Sequence, residues 1–271
     1  MRISRKILFG SAKPAAPRGH RAYVVGDVHG RLDLLSVLLD RIEDDVRKRK
    51  KMQTTIVFLG DLIDRGPDSA GVVELLRTYR PPFAGTMVLM GNHEEVMLRV
   101  LEGDGSLFAR WMEFGGGECV RSYGLDPAEL KKLPPDDAIA VLKREVPQNH
   151  VEFLASFADS VSFGSYLFVH AGIRPGTSFA DQSQTDLRWI REPFLADERD
   201  HGHIVVHGHT ICEQVEELPN RIALDTGAYR TGVLTALGLE GTERWFLQTD
   251  DAMVENGDGA HSATARAAGH K

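Results

Sequence analysis

The chain has 271 residues, 42% hydrophobic and 26% charged, which fits one large globular α/β domain or one domain with an insertion. A formal charge of −7 argues against a nucleic-acid binder, which would carry a basic face, yet it leaves phosphorylated substrates open because a bound metal dominates its local field. Cys119 and Cys212 stand far apart and in no metal-ligand spacing, so reduced, packed thiols of a cytoplasmic protein are expected.

The apolar part of the first ten residues is too short for a secretory leader, and no run approaches the ~18 apolar residues that cross a bilayer. Residues 1–21 are basic, hold Pro14 and Pro17 and lack periodicity, which reads as a flexible arm. The domain, 22–249, opens on Ala22-Tyr23-Val24-Val25, an apolar run ending in glycine that suits a buried strand. Leu32, Leu34, Leu35, Leu38, Leu39, Ile42 and Val46 then recur at the spacing of an amphipathic helix. The unit repeats: a strand over 55–59, a helix over 69–79 capped by Asp68 or Ser69, a strand over 86–90, and a helix over about 94–101. Such alternation implies βαβ crossovers and a parallel sheet. Residues 102–157, with Gly115-Gly116-Gly117 and Pro134-Pro135, are expected to form a mainly helical insertion near the mouth of the site. Strand-like runs follow at 166–169, 204–206, 222–224, 232–239 and 244–248. The last of these join through tight turns, which predicts antiparallel pairing in a second sheet. Residues 250–271 are polar, low in complexity and expected to be disordered.

Five polar clusters close apolar runs: Gly26-Asp27-Val28-His29-Gly30, Gly60-Asp61-Leu62-Ile63-Asp64-Arg65-Gly66, Gly91-Asn92-His93-Glu94, His170-Ala171-Gly172 and Gly208-His209-Thr210. Asp27 and His29, two apart after a strand, can point at one ion, and Asp61 could bridge two ions with its two oxygens. Asn92, His170 and His209 would complete the shell of the second. Oxygen and imidazole donors without thiolate suit Mn, Fe or Zn bound for hydrolysis. One Asp-x-His is weak; five clusters in order are strong.

The series resembles the calcineurin-like metallophosphoesterases, in particular the branch holding phosphoprotein phosphatases and bacterial diadenosine tetraphosphate hydrolases. The likeness spans roughly Tyr23 to Gln248. It implies an α/β fold of two mixed β-sheets packed as a sandwich, with helices on the outer faces. It further implies two divalent metal ions, Mn foremost. Asp27, His29 and Asp61 would hold the first, and Asp61, Asn92, His170 and His209 the second. Many members end in Gly-His-x-His, whose last His adds a ligand to the first metal; here Ile211 stands there, the phosphoprotein phosphatase branch also lacks that His, and solvent is expected to fill the gap. The resemblance implies in-line attack by a hydroxide shared between the cations, with His93 as general acid oriented by Asp64. Arg65 would clamp the phosphate, joined by Arg191 and Arg174 as further phosphate contacts, surface ion pairs being the plainer reading of the last two.

The substrate is expected to be a phosphorylated protein or a small phosphoester or nucleotide, with no nucleic-acid or membrane partner. A serine/threonine protein phosphatase is the first reading, because the tetraphosphate hydrolases commonly carry Ala where Asp64 stands. Hydrolysis of diadenosine tetraphosphate is the alternative, and a catalytically silent scaffold the third. His207 is expected as a packed histidine, His201 and His203 as an exposed loop, and the triple glycine as a flexible turn.

Overall fold

The computed structural model describes residues 13–249 and Ala252; the arm's residues 1–12 and, Ala252 apart, the tail expected over 250–271 lie outside them. In chain order the elements are β1 (His20–Val25), α1 (Leu32–Lys48), β2 (Gln53–Phe58), α2 (Ser69–Thr78), β3 (Gly85–Val88) and α3 (Asn92–Glu102). A helical stretch follows: α4 (Gly105–Trp111), a kinked turn over Met112–Gly116, α5 (Gly117–Ser122), α6 (Pro127–Leu130), α7 (Pro135–Glu145) and α8 (Gln148–Ala155). Then come β4 (Ser160–Phe163), β5 (Tyr166–Val169), α9 (Gln184–Trp189), β6 (Ile204–His207), β7 (Glu216–Glu217), β8 (Arg221–Ala223), α10 (Ala228–Thr231), β9 (Thr235–Glu240) and β10 (Glu243–Gln248).

Two mixed five-stranded sheets result, ordered β10-β9-β1-β2-β3 and β4-β5-β6-β8-β7. Strands β1, β2 and β3 run parallel, as do β5, β6 and β8, while the remaining pairings are antiparallel. The period-2 alternation of side chains sorts the strand residues into layers. Ala22, Val24, Val57, Leu59, Tyr166, Phe168, Val206 and Leu237 fill the space between the sheets. Tyr23, Val25, Ile56 and Phe58 face the opposite way, onto α1, α2 and the helical stretch. Leu167, Val169 and Val205 pack on Leu187, Ile190 and Phe194 behind the second sheet. In α1 the fully buried Leu34, Leu35, Leu38, Leu39 and Ile42 form the inward stripe, each side chain contributing about 1.5–3 kcal/mol of burial.

Two expectations need correction. The terminal hairpin β9–β10 is antiparallel but extends the first sheet, since β9 pairs with β1 through Ala22 and Leu239. The arm does not reach to residue 21: β1 begins at His20, Ala16 is buried, and its amide donates to Gly241 O at 2.7 Å. No helix among the described residues is long and apolar enough to cross a membrane.

Candidate active site

The sheets deliver the five clusters to one place because each follows the carboxyl end of a strand, where open α/β sheets carry their ligands. Asp27 and His209 sit two residues beyond β1 and β6, and His170 directly follows β5. Asn92 and His93 open α3. Among the described residues, the non-glycine residues with positive φ are His29, Asp61, Asp64, Arg65 and His209. All lie in the clusters, and such backbone costs of order 1–3 kcal/mol per residue, borne where surrounding contacts over-determine it. Two glycines are required by close approach. A Cβ on Gly91 would stand 2.2 Å from Asp61 Oδ1, and one on Gly208 would stand 2.0 Å from Asp27 Oδ1.

Asp61 is the hub. Its Oδ2 lies 3.6 Å from His29 Nε2 and its Oδ1 lies 3.4 Å from His170 Nε2. His29 Nδ1 donates to Ile63 O at 2.8 Å, and His170 Nδ1 donates to Leu59 O at 2.8 Å. Those bonds fix the tautomers and turn both Nε2 lone pairs inward, which is how metal-ligating imidazoles are commonly held. Asn92 Oδ1 lies 3.0 Å from His170 Nε2 and 2.7 Å from His209 Nδ1. Asp27 accepts the His209 amide on Oδ2 at 3.0 Å and leaves Oδ1 buried without a partner.

His93 stands beside this group with a separate attachment. Its Nδ1 donates to Asp64 Oδ2 at 2.6 Å, and Trp111 Nε1 donates to the same oxygen at 2.9 Å. The Asp64 backbone amide donates to Ser69 Oγ at 2.9 Å and fixes the loop, while the fully buried carboxylate is held through Oδ2 by these two donors and its Oδ1 has no hydrogen-bond partner. His93 Nε2 is left facing the centre, 3.9 Å from Asp61 Oδ2.

The family pattern described as calcineurin-like phosphoesterase matches residues 20–239. The chain belongs to the calcineurin-like phosphoesterases. It is 27% identical to serine/threonine-protein phosphatase 1 of Salmonella typhimurium over 228 residues, covering 81% of this chain and 92% of that protein. It is 25% identical to the asymmetrical bis(5'-nucleosyl)-tetraphosphatase of Bacillus velezensis over 236 residues, covering 78% of this chain and 86% of the other. A crystal structure described as a putative diadenosine tetraphosphatase shares the fold, with a TM-score of 0.59 at 21% identity over 88% of this chain and 98% of its own.

The donor set suits the divalent metals of the calcineurin-like phosphoesterases. His29, Asp61 and His93 bring ligand atoms within 4.8 Å of one another, as do Asp61, His170 and His209. Asp61 belongs to both groups, as a bridging carboxylate must. Buried carboxylate and imidazole atoms without partners, Asp27 Oδ1 and His209 Nε2, point to charge compensation from a bound cation. Electrostatics agree. Burial, then Asp225 and Asp61, push Asp27 up, whereas His170, His93 and His29 overcome burial and hold Asp61 far below the usual carboxylate range. Burial lowers His209 to about 3, so the ring is neutral and able to ligate. For His93 burial works downward, but Asp61 and the Asp64 hydrogen bond prevail and favour the imidazolium.

A cavity of about 570 Å³ opens over the site, lined by Arg65, His93, Trp111, Phe114, Trp189, Arg191 and neighbours. Arg65 reaches His29 Nε2 at 3.0 Å and lies over the Tyr229 ring at 5.0 Å. Arg191 lines the wall, 3.5 Å from His209 O. Arg174 is engaged elsewhere: it grips Asp186 through two nitrogens and does not line the cavity.

Sequence reasoning left several supporting residues without a role. Glu94 is fully buried and accepts the amides of Asp61, Leu62 and Gly91 at 2.9, 2.7 and 3.1 Å, folding the Asp61 loop onto α3. Its place in Gly-Asn-His-Glu, three residues into a helix, is the signature of a residue that reaches back to the cap. Burial, reinforced by Asp61, raises it to about 7. The triple glycine is no flexible turn. Gly115 has φ +119, its carbonyl accepts the Arg65 amide at 3.1 Å, and a Cβ there would meet Arg65 N at 2.7 Å. The helical insertion thus buttresses Asp64 through Trp111 and Arg65 through Gly115. His207 is fully buried against Phe194, as expected of a packed residue, and burial lowers it to about 4. His201 departs from the exposed loop expected of it: its side chain is only 4% exposed, tilted against the Phe194 ring.

Proposed function

We propose that this phosphoesterase is a manganese-dependent protein phosphatase that hydrolyses phosphoserine and phosphothreonine monoesters. The observation that carries the reading is the 2.6 Å bond between Asp64 and His93, with Trp111 on the same carboxylate oxygen. An alkyl phosphate expels a poor alkoxide, and a histidine held as imidazolium beside the centre supplies the proton that lets it depart. Arg65 and Arg191 hold the phosphoryl oxygens through charge-assisted hydrogen bonds, orienting the ester with its leaving oxygen toward His93 Nε2. Asp27, His29 and Asp61 would hold one divalent ion, and Asp61, Asn92, His170 and His209 the other. Bound there, the pair would make water nucleophilic near neutral pH and offset phosphoryl charge. The similarity to serine/threonine-protein phosphatase 1 over most of both chains supports this reading.

A second reading has its own observation. Phe114 and Trp189 leave 55% and 37% of their surface exposed, and both line the cavity, where a nucleobase could stack. Similarity to the bis(5'-nucleosyl)-tetraphosphatase points the same way. The two are separated by competing a phosphoserine peptide against diadenosine tetraphosphate in Mn²⁺ and comparing kcat/KM. The protein-phosphatase reading expects the peptide to win; a tenfold preference for the dinucleotide would replace it with the second.

A further inference from the structure

One more strand ends at this site. Strands β6 and β8 run parallel with His207 opposite Ala223, and continuing that register sets His209 opposite Asp225. Asp225 therefore stands two residues past its strand, as Asp27 and His209 do past theirs. Its neighbours bring it to the first metal's side. A Cβ on Gly26 would stand 2.5 Å from Leu224 O, so the residues before Asp27 and before Asp225 touch backbone to backbone. Asp225 also borders Ile211, the position where a further histidine ligand is missing. The Cys212 amide donates to Asp225 O at 2.9 Å, and Ile211 Cγ2 would lie 3.1 Å from a Cβ on Gly227.

The carboxylate itself is half satisfied. Oδ1 accepts the Gly227 amide at 2.9 Å, while Oδ2 is buried with no hydrogen-bond partner, and the residue is 1% exposed. Asp27 is in the same condition, with Oδ1 bare. Glu94 shows the contrast: also a buried carboxyl group, it accepts backbone amides on both oxygens. Two neighbouring buried carboxylates with one bare oxygen each are costly unless a cation lies between them. After burial, the Asp225 charge is the main reason that Asp27 is pushed up.

We infer that Asp225 is a seventh donor, from a sixth strand end, its free oxygen joining Asp27 on the first divalent cation on the side where Ile211 offers no ligand. This rests on the metal reading above. It also gives the first site a third carboxylate, so that anionic donors concentrate there while the second site is mostly imidazole and amide.

The test is Mn²⁺ titration of the metal-stripped full chain by calorimetry, with melting followed in parallel. Wild type should take two ions. Asp225→Asn, which keeps the Oδ1 bond to Gly227, should weaken one of them roughly 10–100-fold and leave the other. Without metal its Tm should equal or exceed that of wild type, since one unpaired buried charge is gone, while the Mn²⁺-induced rise in Tm shrinks. Two ions at wild-type affinity in Asp225→Asn would overturn the inference alone, as would a lower metal-free Tm with an undiminished Mn²⁺ rise. A wild-type chain that binds no Mn²⁺ would overturn the metal reading with it.

Discussion

His93→Asn should lower kcat on a phosphoserine peptide by roughly 10²–10⁴-fold, with Mn²⁺ stoichiometry and Tm close to wild type. The expectation follows from the separate attachment of His93: its ring is tied to Asp64 at 2.6 Å, whereas Asp61, His170, His209 and Asn92 contact one another. The loss should be smaller on p-nitrophenyl phosphate, whose leaving group departs without a proton. Equal losses on both esters would mean that His93 serves the nucleophile or the metals and not the leaving group. Asp64 can be tested through the same proton. Asp61 and the Asp64 bond raise His93 against burial, so the acid form persists to higher pH than an isolated imidazole allows. Activity that needs this acid is full below the raised pKa and falls as pH climbs through it. Asp64→Asn removes one raising partner, so the alkaline limb of kcat should move to lower pH while the acid limb stays. An unmoved alkaline limb would assign that limb to another group.

The parts of this molecule visible in the sequence are those written in local pattern. Strands β1 and β2 and helices α1 and α2 appear as apolar runs and 3.6-residue stripes, and each ligand cluster follows such a run with its glycine. What escaped depends on contacts between distant segments. The turn at Gly241 announces a hairpin, but only the fit of Leu239 beside Ala22 decides which sheet receives it. Strands β4 and β7 are short edge pieces with too few residues for a period to show. Arg174 stands two residues after the glycine of its cluster, yet Asp186, twelve residues on, claims its guanidinium. Asp225 carried a usable signal: the apolar Ile222-Ala223-Leu224 followed by Asp and then Gly227 is the same strand-to-turn writing as the five clusters. A single acidic residue among 39 Asp and Glu does not stand out without its neighbours in space.

Asp61→Asn should be the most damaging conservative change, lowering turnover by about 10³-fold or more, because on the proposed function it would act on both cations at once and each would supply several kcal/mol of charge stabilisation. Asparagine keeps the size of the side chain and tolerates the positive φ of 48° found here, so the loop should survive. One oxygen can still accept the His93 amide, now 3.1 Å from Oδ1. What disappears is the charge and the second oxygen, which together let one side chain face His29 at 3.6 Å and His170 at 3.4 Å. Metal analysis should therefore find fewer than two ions per chain, while circular dichroism of the metal-free variant matches wild type. Without that carboxylate, His170 and His93 also lose the charge that does most to raise them, so the centre should be less protonated and no less able to offer nitrogen lone pairs. Lost metal with intact imidazole donors would then isolate the bridging carboxylate as the cause. Full turnover with two bound ions in Asp61→Asn would show that the two groups of donors do not share this residue, and the dinuclear arrangement would have to be abandoned.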